Sequence, residues 1–109
     1  MDNERTSAFD LFVDGTAPSI TITTPASGEV FIAKKRTIDV SFTVQDLDPN
    51  PVVKSYLRDE EEGTIRTVTN GEKIEPLTID DGFWVLVVES TDWLGNFSKR
   101  ESGKNEIIH

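Results

Sequence analysis

The reading of this chain turns on residues 81 to 96: Asp81-Gly82-Phe83-Trp84-Val85-Leu86-Val87-Val88-Glu89-Ser90-Thr91-Asp92-Trp93-Leu94-Gly95-Asn96. Asp81-Gly82 is a turn pair, because Gly accepts φ > 0 and Asp bonds its own nearby backbone. Trp84, Leu86, Val88 and Ser90 then alternate on one face, the period of a strand with one buried side. Asp92 and Gly95-Asn96 close the segment with a second turn. The outer face carries Phe83, Val85 and Val87. An apolar outer face is either covered by a neighbour or offered as a contact patch.

The same period recurs upstream. Ile20 and Ile22 alternate with threonines, and Ile38, Val40, Phe42 and Val44 alternate with Thr37, Asp39, Ser41 and Thr43. Val53, Ser55 and Leu57 share a face after the turn Asp48-Pro49-Asn50-Pro51. Ile65 and Thr67 precede the Asn70-Gly71 turn. Ile74 and Leu77 flank Pro76, which points to a short or edge strand because proline donates nothing to a ladder. The last segment, Phe97 to Ile108, reads as polar. No segment holds a 3.6-residue period over three turns. The expected fold is all-β, an antiparallel sandwich of about seven short strands with little or no helix. Its expected core is Ile20, Ile22, Ile38, Val40, Phe42, Val44, Val53, Leu57, Trp84, Leu86 and Val88.

Composition limits the function. The chain has 109 residues, enough for one domain. It has no cysteine, which removes disulfides, thiolate metal sites and cysteine nucleophiles. Twenty acidic against eleven basic residues give a net charge of -9, the wrong sign for a nucleic-acid backbone or an anionic membrane surface. No apolar run approaches the ~20 residues of a membrane span, and the N-terminus lacks the pattern of a signal peptide. The only histidine is His109, the last residue. No Gly-x-Ser-x-Gly, His-Glu-x-x-His or Walker-type loop is present. The chain reads as a non-enzyme.

Several motifs in order resemble one module type. Asp14-Gly15-Thr16-Ala17-Pro18-Ser19-Ile20 is similar to an Asp-x-Thr-Ala-Pro-x-Ile linker. Pro25 and Gly28 follow the first strand, and Val44 to Val53 matches a turn between the second and third. Residues 82 to 96 match Gly-x-aromatic-x-Leu-x-Val-x-small-x-Asp-x-x-Gly-Asn. Together, over about residues 14 to 98, these resemble the bacterial Ig-like (immunoglobulin/fibronectin III-like) repeat modules of surface and secreted multi-domain proteins. The resemblance implies an Ig-like domain at 19–109, a linker at 14–18, and at 1–13 the tail strand of a preceding module or an extra edge strand. In that last segment Phe9, Leu11 and Val13 alternate, with Phe12 as an exception. It also implies a place at the cell surface or outside it, within a longer exported chain, as a spacer or adhesive unit; the alternatives are an accessory carbohydrate-binding module of a secreted hydrolase and a calcium-stiffened junction between modules. Ser102-Gly103-Lys104-Asn105 departs from the pattern by being polar and turn-like, which leaves room for another strand at that edge.

The partners expected are neighbouring modules of the same chain and, beyond them, a carbohydrate or a host-cell surface protein. Candidate contact residues are Trp93, Phe83, Val85, Val87 and Tyr56, since aromatic faces with polar rims suit sugar rings. No cofactor is required. Calcium is the one metal to weigh, with Asp14, Asp46, Asp48 and Asp92 as candidate ligands. Asp46-x-Asp48-x-Asn50 has the opening spacing of an EF-hand loop. Pro51 at the sixth position and Leu57 at the twelfth rule that loop out. The bland reading is a proline-locked turn. For Asp92 it is a carboxylate that accepts backbone N–H bonds and fixes the Asp92–Asn96 turn.

Overall fold

The computed structural model describes residues 17–46 and 51–109. The expected strand at 8–13, most of the linker at 14–18, and Asp14 and Asp48 lie outside the described residues.

Among the described residues, ten β segments form the fold: β1 Ser19–Thr24, β2 Val30–Ile32, β3 Ile38–Asp39, β4 Ser41–Gln45, β5 Val52–Asp59, β6 Ile65–Thr67, β7 Lys73–Ile74, β8 Gly82–Thr91, β9 Phe97–Glu101 and β10 Asn105–Ile108. They make seven strands, because three strands are each split in two. β3 and β4 are one strand interrupted at Val40, whose N–H donates to the Glu72 carbonyl at 2.9 Å and whose carbonyl accepts from Gly71 N–H at 2.7 Å. β9 and β10 lie along the same side of β8, at Thr91–Val87 and at Trp84–Gly82. β1 and β2 are one strand that changes sheet around Pro25.

One layer runs β1, β4/β3, β7, with Ile20 opposite Val44 and Ile38 opposite Ile74. The other runs β2, β10/β9, β8, β5, β6. β8 is its central strand, paired with β5 from Val52–Thr91 to Asp59–Trp84. Among the described residues all pairings are antiparallel except β2 with β10, which is parallel through Val30–Glu106, Phe31–Ile107 and Ile32–Ile108. This strand order is that of an Ig-like sandwich. Helix is limited, among the described residues, to a 3-10 turn at Pro76–Thr78, where the Glu75 side chain accepts from Leu77 N–H. Pro76 therefore opens a turn and does not sit in a strand.

The two inner faces meet in one core: Ile20, Phe31, Ile38, Val40, Phe42, Leu57, Val68, Ile74, Ile79, Trp84, Leu86, Val88 and Ile107, with Ile22 and Val44 packed at its margin. Trp84 keeps its indole N–H satisfied by the Asp80 carbonyl at 2.9 Å. Val53 departs from expectation. It points inward opposite Ser90 but is 40% exposed, because that part of β5 borders an open groove between the layers.

The polar segment after Glu101 does not end the strand. Ser102 donates its N–H to the Leu86 carbonyl at 2.8 Å, and its Oγ accepts from Leu86 N–H at 2.8 Å. A side chain thus stands in for the missing backbone acceptor, as at a bulge. β10 then resumes and buries Ile107 and Asn105. The edge beyond it is taken by β2. Asn105 Oδ1 accepts from Glu29 N–H at 2.9 Å, and Gly28 N–H donates to Lys104 O at 2.9 Å. Gly103 lets the two segments approach: a Cβ there would sit 2.1 Å from Ser27 Oγ and 2.4 Å from Ser27 Cβ.

Candidate functional site

The outer face of β8 is closed along its middle. Val85 and Val87 are 3% and 0% exposed. Register places Arg58 beside Val85, and Tyr56 and Glu101 on either side of Val87. Arg58 reaches across β8 with two bonds to Glu101, Nη1 to Oε2 and Nη2 to Oε1, both 3.1 Å; Nη2 also meets Glu60 Oε2 at 3.0 Å. Hydrogen bonds first to Glu101, then to Glu60, raise the Arg58 pKa further above its ordinary value, and the same Arg58 bond lowers that of Glu101. The aliphatic stems lie over the valines while the charged heads stay wet. Val85 and Val87 are therefore not a contact surface. Of the two readings open for this face, a covered face or a contact patch, the covered one holds for Val85 and Val87; alternation gives a strand's two faces but not what lies on them.

Tyr56 is also engaged. Its hydroxyl donates to Glu89 Oε2 at 2.5 Å, and that bond raises its pKa. Phe83 is 45% exposed, at the start of β8 beside Glu106. Trp93 is 75% exposed, beyond the other end of β8. β8 is ten residues long, which at ~3.3 Å per residue separates Phe83 and Trp93 by roughly 30 Å. The aromatic candidates do not form one platform.

Trp93 sits on a tightly tied loop. Asp92 Oδ1 accepts from Leu94 N–H at 3.0 Å and Asn96 N–H at 2.8 Å, and Oδ2 accepts from Asn96 Nδ2 at 3.0 Å. The main chain closes the same turn, Asp92 N–H to Asn96 O and Gly95 N–H to Asp92 O, both 3.0 Å, with Gly95 at φ 90°. Asp92 is buried. Burial alone would raise its pKa, but the Asn96 side-chain and backbone N–H groups, Leu94 N–H and the Asp46 carboxyl outweigh it and hold it below the ordinary value. As a calcium ligand Asp92 fits poorly: both its oxygens already face N–H donors. No group of three or more metal-ligating side chains occurs among the described residues.

Around this loop, apolar side chains are exposed together. Val52 and Phe97 flank Thr91 on one face of the sheet, at 62% and 54% exposure, and Leu94 is 41% exposed. This apolar pole was only partly readable in the sequence. Trp93 stands out in a turn, but Val52 and Phe97 are 45 positions apart and meet only through pairing with β8.

A second concavity is a groove of about 1010 Å³ between β4 and the β5–β6 edge, lined by Phe42, Val44, Val53, Tyr56, Val68 and Asn70 among others. Asn70 closes one end of it. Its Oδ1 accepts from Phe42 N–H at 3.0 Å and its Nδ2 donates to Phe42 O at 2.7 Å, as a neighbouring strand would.

His109 is held in place. Its Nε2 lies 3.1 Å from Pro76 O and 2.7 Å from Ile79 O, so it donates into a pair of carbonyls. Asp59 likewise is not a solvated loop charge: it is buried, and its Oδ1 accepts from Glu61 N–H at 2.9 Å.

No family model matches the chain, and no curated protein matches it. The chain is similar to a solved structure of fibronectin(III)-like modules of Clostridium thermocellum CbhA. The two are 24% identical, the match covers 83% of this chain and 93% of that one, and the TM-score is 0.48. The fold assignment stands on the strand order described above. Among the described residues no helix is long and apolar enough to cross a membrane.

Proposed function

We propose that the chain is a non-catalytic Ig-like module of an exported, multi-domain bacterial protein, and that it works as a spacer between neighbours. One observation carries this reading. The chain enters and leaves the sandwich at opposite poles. Pro18 lies against Ser98, near the Phe97–Thr91 end of β8. Ile107 pairs with Gly82, at the other end. Anything joined at the two ends is held apart by the length of β8, roughly 30 Å.

Two further features agree with it. Over Val85 and Val87 the outer sheet face is covered by Arg58, Glu101 and Tyr56, so these valines are not offered to a partner. Three buried polar groups serve the fold: Ser55 Oγ donates to Val68 O at 2.7 Å, Asn105 ties β10 to Glu29, and Asp92 ties its turn. The carbohydrate reading finds one exposed tryptophan where a sugar chain wants two or three coplanar rings.

The test is small-angle scattering of the parent chain with and without this module. The expected result is a maximum dimension that shortens by about the length of β8 on deletion, roughly 30 Å. An unchanged dimension overturns the spacer role. Affinity electrophoresis against soluble plant polysaccharides is expected to show no retardation. Retardation abolished by Trp93→Ala would establish the carbohydrate role instead.

A further inference from the structure

The ladder on the open side of β4 thins in three steps. Val40 is met by backbone, its N–H donating to Glu72 O at 2.9 Å and its carbonyl accepting from Gly71 N–H at 2.7 Å. Phe42, one rung on, is met by a side chain, the Asn70 amide, at 3.0 and 2.7 Å. The following rung is Val44. It faces the same way, because Phe42 pairs with Ile22 and Val44 with Ile20 without a bulge between them. Among the described residues no partner meets its N–H or its carbonyl on that side.

β5 is bare in the same way across the groove. Ser55 O accepts from Val68 N–H at 3.1 Å, and there the chain leaves the β6 line for Asn70. Val53, two positions back, faces that line beyond the end of β6. Phe42, Val44, Val53 and Val68 line the groove between these two edges. Two other edges are covered by side chains. Arg36 N–H and Nη1 reach Ile32 O and Val30 O on β2, at 3.2 and 3.4 Å. Ser98 Oγ and Arg100 Nε reach Pro18 O and Ile20 O along β1, at 2.5 and 3.2 Å. A covered edge does not recruit strands. The β4 edge instead offers a free rung beside an apolar wall.

We infer that this groove accepts an extended peptide as an added strand on β4, continuing the line of Asn70 past Phe42. Backbone bonds to Val44 set its register, and every second side chain points inward onto Val53 and Val68. The added strand supplies the wall that Val53 lacks. Charge selects among such peptides. At the groove Arg58 is taken by Glu101 and Glu60, and Lys54 stands opposite Glu89. The net charge of -9 therefore sets the field, which draws a cationic segment and repels a second copy of the chain. The partner is a strand-forming segment in which apolar residues alternate with lysine or arginine. Such a site goes beyond the spacer role and does not depend on it.

An NMR titration of the full chain tests it. The probe is a synthetic peptide of about seven residues, valine alternating with lysine, long enough for an ordinary strand. The expected result is saturable binding that slows amide exchange at Val44 at least about tenfold. The Trp84 indole, bonded to Asp80 O in the core, reports that the fold is intact. The same peptide with N-methylated valines keeps its side chains but loses the donors that face β4, and should bind at least about tenfold more weakly. Val44→Pro, tolerable where the N–H faces an open edge, and Val53→Lys, which repels the probe, should each weaken binding by a similar factor. Should the proline variant fail to fold, Val53→Lys carries the comparison. Binding that does not saturate by about 1 mM peptide overturns the strand site. So does equal binding of the N-methylated peptide. Protection of Ile65 and Thr67 with none at Val44 would put the strand on β6 and overturn it as well. Val44 exchange that slows with protein concentration alone would make a second copy the occupant, and would equally overturn it.

Discussion

Arg58 and Glu101 are 43 positions apart in sequence and meet in a two-pronged ion pair that straddles β8. Beneath it lie Val85 and Val87, both buried. The pair is partly exposed, with side chains 28% and 38% accessible, so its charge contributes only about 0.2–1 kcal/mol. Its larger effect is to lay aliphatic stems over a valine surface.

Arg58→Met should therefore be much milder than Arg58→Ala, although both remove the charge. Urea unfolding should place the alanine variant about 1 kcal/mol or more below the methionine variant. Equal losses would show that the ion pair, not the cover, is what matters.

Gly103 should tolerate no side chain while Ser27 is in place. The contacts at 2.1 and 2.4 Å require the β10 segment or the Ser27 turn to shift. Gly103→Ala should destabilise by about 1–3 kcal/mol, the usual cost of overpacking. Ser27→Gly in the same chain should recover most of that, giving a clear coupling in a double-mutant cycle. Additive losses would mean the strain lies elsewhere.

Asn70 is expected to act as a piece of strand. Replacing it with alanine leaves Phe42 N–H and C=O without their partner, at a cost of about 1–3 kcal/mol. Hydrogen exchange at Phe42 should quicken more than at Val40, whose N–H goes to Glu72. Equal acceleration at both would point to general loosening of the strand.

The Asp92 turn should weaken in acid. Its pKa is depressed in the folded protein, so the stability it adds is fully present above the ordinary carboxylate value, about 3.9. That stability is lost as pH falls through the lower, folded-state value. Glu29, Asp39, Glu72 and Glu101 are lowered too and add to the same acid limb. Thermal midpoints taken from about pH 6 to about pH 2 should fall less steeply for Asp92→Asn than for the parent. Parallel curves would remove Asp92 from the explanation.

How much of this was legible differs from strand to strand. Trp84, Leu86 and Val88 declare themselves by alternation over a long strand, and Ile38 to Val44 do the same. Phe31 and Ile107 do not, because β2 and β10 are three and four residues long and too short for a period to show. They are found only when the two segments pair. Val53 has the right parity for the core and is still exposed, because burial needs an opposite wall as well as a direction. The contact candidates fared similarly. Trp93 could be picked out as an aromatic in a turn, while Val52 and Phe97 join it only through their common neighbour Thr91. For Val85 and Val87 the sequence left a covered face and a contact patch both open, and Arg58 and Glu101 laid over them decide for the covered face.

The parallel pairing of β2 with β10 bears on how the fold would answer a pull on its two ends. When the chain is pulled from its two ends, β2 is drawn toward the entry pole and β10 toward the exit pole. Their backbone bonds lie across the direction of pull and are strained together, so they must fail as a group. An antiparallel terminal hairpin would open one bond at a time. Phe31, 2% exposed and capped by the Arg36 guanidinium at 4.4 Å, is the anchor that must leave the core before this clasp slips. The short strand that alternation did not reveal is thus the part of the fold best placed to resist tension.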